Sequence, residues 1–186
     1  MGIAEKAGSG RIQVRVPRPE QCPRKSGLTM ATIILKTFIK ASCETCFDLS
    51  RSIDLHANSM NNFGEKAIEG RLTGLIGMGE TVTWRARHFF VWHEMTSAIT
   101  RFKYPTMFRD EMVAGPFKEL CHDHIFSASS EGTTMTDIFQ YTLPCPRLTG
   151  FLDSILFQRY MRKLLEQRNA MIKQLAESGP IRYSDE

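Results

Sequence analysis

From residue 65 to residue 143, the chain alternates apolar and polar residues in short stretches that glycine or proline separates. Alternation with a period of two is typical of strands that bury one face. In the second of these stretches one face is mainly apolar and carries Val82, Trp84, Ala86 and His88. The pattern predicts six strands, over residues 65–71, 81–90, 94–104, 107–114, 117–127 and 133–143.

A further strand is predicted ahead of these six, over residues 31–41, which are rich in β-branched and aromatic residues. We expect its buried face to carry Ile33, Leu35, Thr37 and Ile39. Ser42 follows at a position suited to a helix N-cap, because its hydroxyl can accept a hydrogen bond from a free amide of the first turn. A helical segment is therefore predicted over residues 42–60.

The last predicted element is a long helix over residues 148–178. Its apolar residues form two stripes that lie about half a turn apart at 100° per residue. One stripe holds Leu148, Phe151, Leu152, Ile155 and Leu156, and the other holds Phe157, Tyr160, Met161, Leu164, Met171 and Leu175. A straight helix that buries one side carries only one apolar stripe. We therefore expect a break near residues 157–159 that divides the predicted segment into a short helix and a long one.

The order of the elements is one strand, a helical segment, six strands and a final helix. An antiparallel sheet needs a second layer over its apolar face, and the long terminal helix supplies that layer. The sequence therefore predicts an α+β fold in which a curved, seven-stranded antiparallel sheet wraps around the C-terminal helix and encloses a pocket. We expect a disordered basic tail over residues 1–29, one domain over residues 30–178 and a flexible C-terminus over residues 179–186.

The net charge of +4 is concentrated in the N-terminal tail. Residues 1–29 carry six basic and two acidic residues, and the remainder carries 18 of each. Because phosphate binding needs a basic face on the folded domain, this distribution excludes nucleic acid from the expected partners. The tail also has three prolines and few large apolar residues, which favours disorder.

The expected location of the protein and the redox state of its cysteines follow from signals that are not recognised in the sequence. No apolar run reaches the ~20 residues of a membrane-spanning helix, and no export signal is recognised, so no stable membrane insertion is expected and a cytoplasmic location is predicted. The five cysteines have no disulfide-framework spacing, which favours free thiols. Cys43 and Cys46 form a lone CxxC without the βαβ context of a redox motif, and we interpret them as incidental.

Three segments together resemble one known superfamily. They are GLIGMGETVTWRARHF at residues 74–89, FRDEMVAGPFKELCHDHIF at residues 108–126 and GTTMTDIFQYTLP at residues 132–144. In this order they resemble the SRPBCC or START-like superfamily, most closely its polyketide cyclase/dehydrase-type bacterial branch, over roughly residues 31–177. The resemblance implies a helix-grip fold with a deep apolar cavity. It also implies binding of lipids, polyketides or other apolar molecules, with cyclisation or dehydration in a minority of members.

The predicted hairpin over residues 107–127 is the densest polar stretch within an apolar pattern. A turn centred on Gly115 and Pro116 would set Arg109 opposite His122, and Glu111 opposite Leu120. Alternate residues share a face, so one side of this hairpin would carry Arg109, Glu111, His122 and His124. Three interpretations stay open: contact with a ligand, a structural or surface network, and acid–base catalysis.

The candidate binding residues are this polar group and the apolar residues expected around it. They are Trp84, His88, Arg109, Glu111, Leu120, His122, His124, Phe126, Phe139, Tyr141, Tyr160, Met161 and Leu164. His122 and His124 supply two possible metal ligands, but Cys121 and Asp123 lie on the opposite face of the strand. We therefore predict no metal site and no cofactor.

These observations lead to three hypotheses of different classes. The first is a binding protein for an apolar small molecule, without covalent chemistry. The second is a cyclase or dehydratase that uses Glu111 with His122 or His124 as acid and base. The third is an interaction module whose basic tail docks onto an acidic partner or a membrane surface. A homodimer is compatible with each of them.

Overall fold

The structure is a computed structural model that describes residues 30–144 and 151–179, with side chains described for all of these except residues 151–154. The predicted tail over residues 1–29 and residues 180–186 of the predicted C-terminal segment lie outside the described residues. The described elements are β1 (Ala31–Ile39), α1 (Cys43–Ser50), α2 (Ile53–Ser59), a 3-10 turn (Asn61–Phe63), β2 (Lys66–Gly70), β3 (Thr81–His88), β4 (Val91–Lys103), β5 (Met107–Ala114), β6 (Glu119–Ser129), β7 (Gly132–Thr142) and α3 (Phe151–Glu177).

The seven strands form one antiparallel sheet in the order β1-β7-β6-β5-β4-β3-β2. Helix α3 packs across one side of this sheet, against β1 and against α1 and α2. This is the α+β, helix-grip arrangement that the sequence predicts, and the prediction is confirmed. We call the side that α3 covers the helix-facing side, and the other side the outer face.

Alternation along single strands is also confirmed. In β1, Ile33 and Ile39 are fully buried, whereas Ile34 on the outer face is 50% exposed. In β3, Val82, Trp84 and Ala86 are buried together. The faces of these strands follow directly from a period of two, because successive side chains point to opposite sides of a pleated sheet.

The predicted helical segment over residues 42–60 is two short helices. Ser42 caps α1 by accepting a hydrogen bond from the Thr45 amide at 3.2 Å, and Ser52 caps α2 in the same way. Between the helices the backbone turns outward to pair with a distant loop. The Ile53 amide donates to the Gly74 carbonyl at 2.9 Å, and the Ile76 amide donates to the Arg51 carbonyl. These bonds replace the helical ones that a continuous segment would make.

The predicted break in the C-terminal helix is wrong. Helix α3 is a single helix of 27 residues that runs through residues 157–159. The second apolar stripe does not force a break, since Leu156 simply remains 61% exposed. Phe157, Met161 and Leu165 pack instead along the side that meets the sheet.

The predicted pairing of β5 with β6 is also wrong, by one residue. Arg109 pairs with Asp123, and Asp110 pairs with His122. Pairing between the two strands ends at Glu111 and Cys121, so an odd number of residues, 112–120, closes the hairpin where the prediction assumed a two-residue turn. A shift of one residue exchanges the faces of one strand relative to the other.

Candidate functional site

A band of polar side chains crosses the helix-facing side of the sheet between two apolar clusters. Along β6, Leu120 belongs to one cluster and Phe126 to the other, with His122 and His124 between them. Strand β7 repeats the pattern, because Asp137 lies between Met135 and Phe139. We define the polar band as seven residues from five elements. They are Thr37 of β1, Asp110 of β5, His122 and His124 of β6, Asp137 of β7, and Arg168 and Asn169 of α3.

The two apolar clusters differ in how completely they are buried. The cluster around Phe47, which we call the closed cluster, is mostly inaccessible and includes Phe108, Phe126 and Ile172. The cluster around Phe139, which we call the open cluster, has five buried members. Its partly buried members outnumber these: Ala31, Leu35, Met95, Met112, Phe117, Leu143, Phe157 and Met161. The closed cluster has 15 buried members beside eight partly buried ones, so the open cluster is the more accessible of the two.

Three side chains of the band come from β5 and β6. The Asp110 Oδ2 atom lies 3.1 Å from His124 Nε2 and 3.9 Å from His122 Nδ1. The two imidazole rings are 3.8 Å apart between centroids. His124 stacks on Phe108 of the closed cluster, while His122 makes an edge contact with Phe139 of the open cluster. The band is therefore built by pairing Asp110 opposite His122.

Asp137 connects these residues to the helix. Its Oδ1 atom lies 3.0 Å from His122 Nε2 and 2.9 Å from His124 Nδ1. Asn169 of α3 donates an amide hydrogen to Asp137 Oδ2 at 2.6 Å and another to Thr37 at 3.2 Å. A fully buried carboxylate of β7 is thus held by groups from two other elements, β6 and α3.

Arg168 brings the positive charge of α3 into the band. Its Nη2 donates to the Ser50 carbonyl at 2.5 Å, and its Nη1 lies 3.7 Å from Asp137 Oδ1. Burial lowers the pKa of Arg168, and the two carboxylates of the band oppose that effect. Since Arg168 and Asn169 follow each other on one turn, α3 presents both to Asp137.

Burial and neighbouring groups shift the pKa values of the two histidines in opposite directions. Burial lowers the pKa of His122, and the nearby His124 lowers it further. Burial and Arg168 also oppose a charge on His124, but its hydrogen bonds with Asp110 and Asp137 raise its pKa above the ordinary value. Burial tends to raise the pKa of Asp137, yet the hydrogen bonds from both histidines hold it well below the ordinary range. His122 is therefore the neutral member of the pair at pH 7.

The polar band offers more hydrogen-bonding groups than its own members use. Within residues 30–144 and 151–179, Asn169 Oδ1 and Arg168 Nη1 are buried and have no hydrogen-bond partner. His122 Nδ1 is too far from Asp110 Oδ2, at 3.9 Å, for a hydrogen bond. The His122 side chain is 8% accessible, compared with 2% for His124. His122 is the histidine that borders the open cluster.

Two predicted site residues do not belong to this arrangement. Arg109 and Glu111 lie on the outer face, because they pair with Asp123 and Cys121. Arg109 makes a double hydrogen bond with the Asp123 carboxylate, and both contacts are 2.6 Å long. The predicted grouping of Arg109 and Glu111 with His122 and His124 is therefore wrong, for the reason of register given above.

The remaining predicted residues separate between the two clusters. Trp84 and Phe126 lie in the closed cluster, and Trp84 stacks on His56 at 4.3 Å. The open cluster holds Leu120, Phe139, Tyr141 and Met161. Leu164 is buried on α3.

His88 and Tyr160 meet at the end of β3. The His88 Nδ1 atom and the Tyr160 hydroxyl oxygen are 2.6 Å apart. Phe89 lies against Tyr160 with ring centroids 4.7 Å apart, and burial lowers the pKa of His88. This contact links the β3–β4 hairpin to α3 beside Phe157 of the open cluster.

Four residues of the polar band escaped the sequence analysis: Asp110, Asp137, Arg168 and Asn169. Two of them, Asp137 and Arg168, carry a signal in their own element. Asp137 is an acid on a strand face that otherwise holds Met135, Phe139 and Tyr141. Arg168 lies four residues from Leu164 and from Ile172, and so interrupts an apolar stripe. A charged residue in an apolar row is expensive to bury without a partner, and that cost is the signal.

The CxxC motif has the properties of incidental cysteines. Cys43 and Cys46 are free thiols and are buried. Burial raises the pKa of Cys46 to about 11, which leaves very little thiolate at neutral pH.

Among the described residues, no helix is long and apolar enough to cross a membrane.

Solved structures resemble this chain in fold, whereas comparison by sequence finds no match. No protein-family description and no curated protein matches it. Its fold matches that of a protein from Thermus thermophilus with a TM-score of 0.63 and 18% identity, over 80% of this chain and all of the other. It also matches a major latex-like protein of Panax ginseng, with a TM-score of 0.57 and 15% identity, over 79% and 97% of the two chains.

A third match is the di-domain ARO/CYC protein StfQ of the steffimycin biosynthetic pathway. Its TM-score is 0.64 with 11% identity, over 80% of this chain and 52% of StfQ. The chain therefore spans about half of the di-domain protein. At these identities the matches establish the helix-grip fold, in agreement with the START-like resemblance, and the site has to be judged from its own residues.

Proposed function

We propose that this protein binds an apolar small molecule that carries one polar group. The apolar body lies between the sheet and α3, over the open cluster. The polar group meets the polar band at His122. The observation that carries this proposal is the contrast between the clusters, since side chains of the open cluster remain partly accessible beside His122, whose Nδ1 atom is beyond hydrogen-bond distance of Asp110.

The apolar lining suits a ligand of variable shape. Met95, Met112 and Met161 all belong to the open cluster. Methionine side chains are unbranched and polarisable, so they adapt to different apolar surfaces. Covering about 300 Å² of apolar ligand surface would supply roughly 7 kcal/mol before entropic costs, at about 25 cal/mol per Å². Together with hydrogen bonds to the polar band, this is the scale of driving force that a small-molecule carrier needs.

The polar band gives the ligand its orientation. His122 is neutral, so its Nδ1 lone pair can accept a hydrogen bond from a ligand hydroxyl. Arg168 Nη1 can donate one to a ligand oxygen. A purely apolar molecule would leave these groups unpaired at a cost of about 1–3 kcal/mol each. The band therefore favours ligands with a hydroxyl or carbonyl group at one end.

The experiment has two parts. Protein purified under native conditions is extracted with solvent, and the extract is analysed by mass spectrometry. Binding of an environment-sensitive apolar dye is then titrated for wild type, for Met161→Trp and for the control Leu156→Trp. We expect Met161→Trp to weaken dye binding at least tenfold by filling the open cluster, and Leu156→Trp to leave it unchanged, because Leu156 is 61% exposed on the same helix.

The outcome against the proposal is equally definite. If native extracts contain no stoichiometric small molecule and the dye fails to saturate at one site, the protein is not a ligand carrier of this kind. If Leu156→Trp and Met161→Trp weaken binding equally, the site lies elsewhere.

Acid–base catalysis is a second candidate function, and one observation favours it. His122 is a buried neutral imidazole within 4 Å of the Asp110 carboxylate, so it has the character of a general base. A fold neighbour is an ARO/CYC protein, which makes cyclisation of a polyketide-like substrate the reaction to examine. In an enzyme of this kind, a poly-β-ketone incubated with the protein changes mass or absorbance, and Asp110→Asn slows that change. A carrier returns the molecule unaltered.

A further inference from the structure

We propose that Asp110, His122 and His124 form a binding site for a divalent transition-metal ion. Each offers one ligand atom, and these atoms all lie within 4.8 Å of one another. Two of the three ligands, His122 and His124, share a face of one strand in the sequence, and the prediction of no metal site is wrong on this proposal because the further ligand is Asp110 and not Cys121 or Asp123. The corrected register supplies the third ligand.

The geometry is close to that of a metal centre. Ligand atoms about 2.0–2.2 Å from a tetrahedral zinc ion are roughly 3.3 Å from one another. Asp110 Oδ2 is 3.1 Å from His124 Nε2 and 3.9 Å from His122 Nδ1. The His122 ring would have to move toward Asp110 and His124 to complete the set. Two imidazoles with one carboxylate suit zinc, iron, cobalt or nickel better than calcium or magnesium.

The residue behind the histidines strengthens the assignment. The His122 and His124 nitrogens that do not face Asp110 both approach Asp137 Oδ1, at 3.0 and 2.9 Å. In metal sites, a carboxylate commonly accepts the second N–H of a ligating histidine and fixes the tautomer that presents a lone pair to the metal. His122 Nε2 makes this hydrogen bond to Asp137, whereas His124 Nδ1 lies near the same oxygen without hydrogen-bond geometry. Asn169 holds that aspartate from α3.

The charges of the band define the fourth ligand. With neutral imidazoles, Asp110 and Asp137 carry two negative charges and Arg168 carries one positive charge. A dication would leave the band with one positive charge in excess, which an anionic or strongly polarised oxygen would offset. Such an oxygen would enter from the open cluster and bind the metal, which then takes the His122 Nδ1 lone pair in place of the ligand hydroxyl, and this last step rests on the proposed function. The metal site itself does not.

The test uses the metal alone. Full-length protein without an affinity tag is treated with EDTA, dialysed and titrated with Co²⁺ by absorption spectroscopy and with Zn²⁺ by calorimetry. We expect one ion per chain, with the visible bands of cobalt bound by nitrogen and oxygen. Asp110→Asn and His122→Gln should each weaken binding at least tenfold, whereas His93→Gln, a histidine on β4 outside the band, should not change it.

Far-UV circular dichroism and melting temperature show that each variant is folded, and either variant suffices if the other fails to fold. The proposal is overturned if the wild type takes up no stoichiometric metal, in which case a proton on His124 fills the space between it and Asp110. It is also overturned if both variants bind as tightly as the wild type, because the metal then binds to other residues. Extraction of a small molecule from metal-free protein would leave the proposed function intact in either case.

Discussion

The β5–β6 hairpin carries two buried polar sites on its opposite faces, and they are built differently. On the outer face, Arg109 and Asp123 form a double hydrogen bond that matches one guanidinium edge to one carboxylate. On the helix-facing side, Asp110 and Asp137 contact the two histidines, and Asp137 also contacts Arg168, at distances of 2.9 to 3.9 Å. Arg109 and Asp110 are adjacent in the sequence, yet they serve different sites.

The two sites differ in how fully their polar groups are hydrogen-bonded, and this difference indicates which site is structural. The outer pair satisfies the Asp123 carboxylate with two short bonds, and Asp123 raises the pKa of Arg109 above its ordinary value through a hydrogen bond. Such a pair holds two strands in register. The polar band contains buried hydrogen-bonding atoms without partners. Such atoms cost free energy unless a bound molecule or ion satisfies them. We therefore assign stability to the outer pair and binding to the band.

The largest expected effect comes from breaking the outer pair. Arg109→Leu leaves Asp123 as a buried carboxylate without its guanidinium partner, because both residues are at most 2% exposed. We expect the free energy of unfolding to fall by roughly 3–5 kcal/mol, measured by urea denaturation. The comparison variant is Arg85→Ala at an exposed ion pair with Glu94, for which we expect a loss below about 1 kcal/mol.

If Arg109→Leu costs no more than Arg85→Ala, the outer pair does not stabilise the fold and the contrast fails. Dye binding by folded Arg109→Leu protein should match the wild type, since Arg109 does not reach the helix-facing side.

The intermediate effect comes from the polar band. His122→Leu replaces a neutral buried ring with an apolar side chain, while Asp137 keeps its hydrogen bond from Asn169. We expect the free energy of unfolding to fall by about 1–3 kcal/mol, because the buried Asp137 Oδ1 atom loses its hydrogen bond from His122. Affinity for a ligand with a polar end group should fall at least tenfold. A large loss of stability with unchanged affinity would make the band structural instead.

The smallest effect concerns the contact between His88 and Tyr160. Burial lowers the pKa of His88 in the folded protein below its ordinary value of 6.5, Glu65 opposes this, and His93 adds to it. The unfolded chain then binds the proton more readily, so this contribution to stability is full above pH 6.5 and is lost as the pH falls below it. Urea denaturation between about pH 7.5 and 5 should show a steeper loss for wild type than for His88→Gln. His93→Gln should reduce the slope less than His88→Gln does, because His93 contributes only part of the shift, and equal slopes for wild type and His88→Gln would contradict the prediction.

Single-element features of this protein were readable from the sequence. The buried face of β1 and the row of Val82, Trp84 and Ala86 in β3 follow from a period of two. The helix cap at Ser42 and the placement of His122 and His124 on one face follow from local chemistry in the same way. These features depend on residues that are near one another in the chain, where backbone geometry leaves few choices.

Features that depend on the pairing of two elements could not be predicted from the sequence. Arg109 and Glu111 were grouped with the histidines because the turn was centred on Gly115 and Pro116, and the actual closure over residues 112–120 reverses that grouping. The α3 residues Arg168 and Asn169 joined the site only when the helix was placed against Asp137. The break expected in α3 was absent because exposure of Leu156 was tolerated.

The sequence by itself determined the order of the elements and which residues of one strand share a face, since alternation and capping act within a few residues, and its resemblance to a known superfamily implied the helix-grip fold. The tertiary structure decided which residues meet. Register between strands and the seating of α3 depend on the total packing of distant side chains, and a shift of one residue there costs little locally while it exchanges whole faces. That is why the two histidines were visible in the sequence, and their partners Asp110 and Asp137 were not.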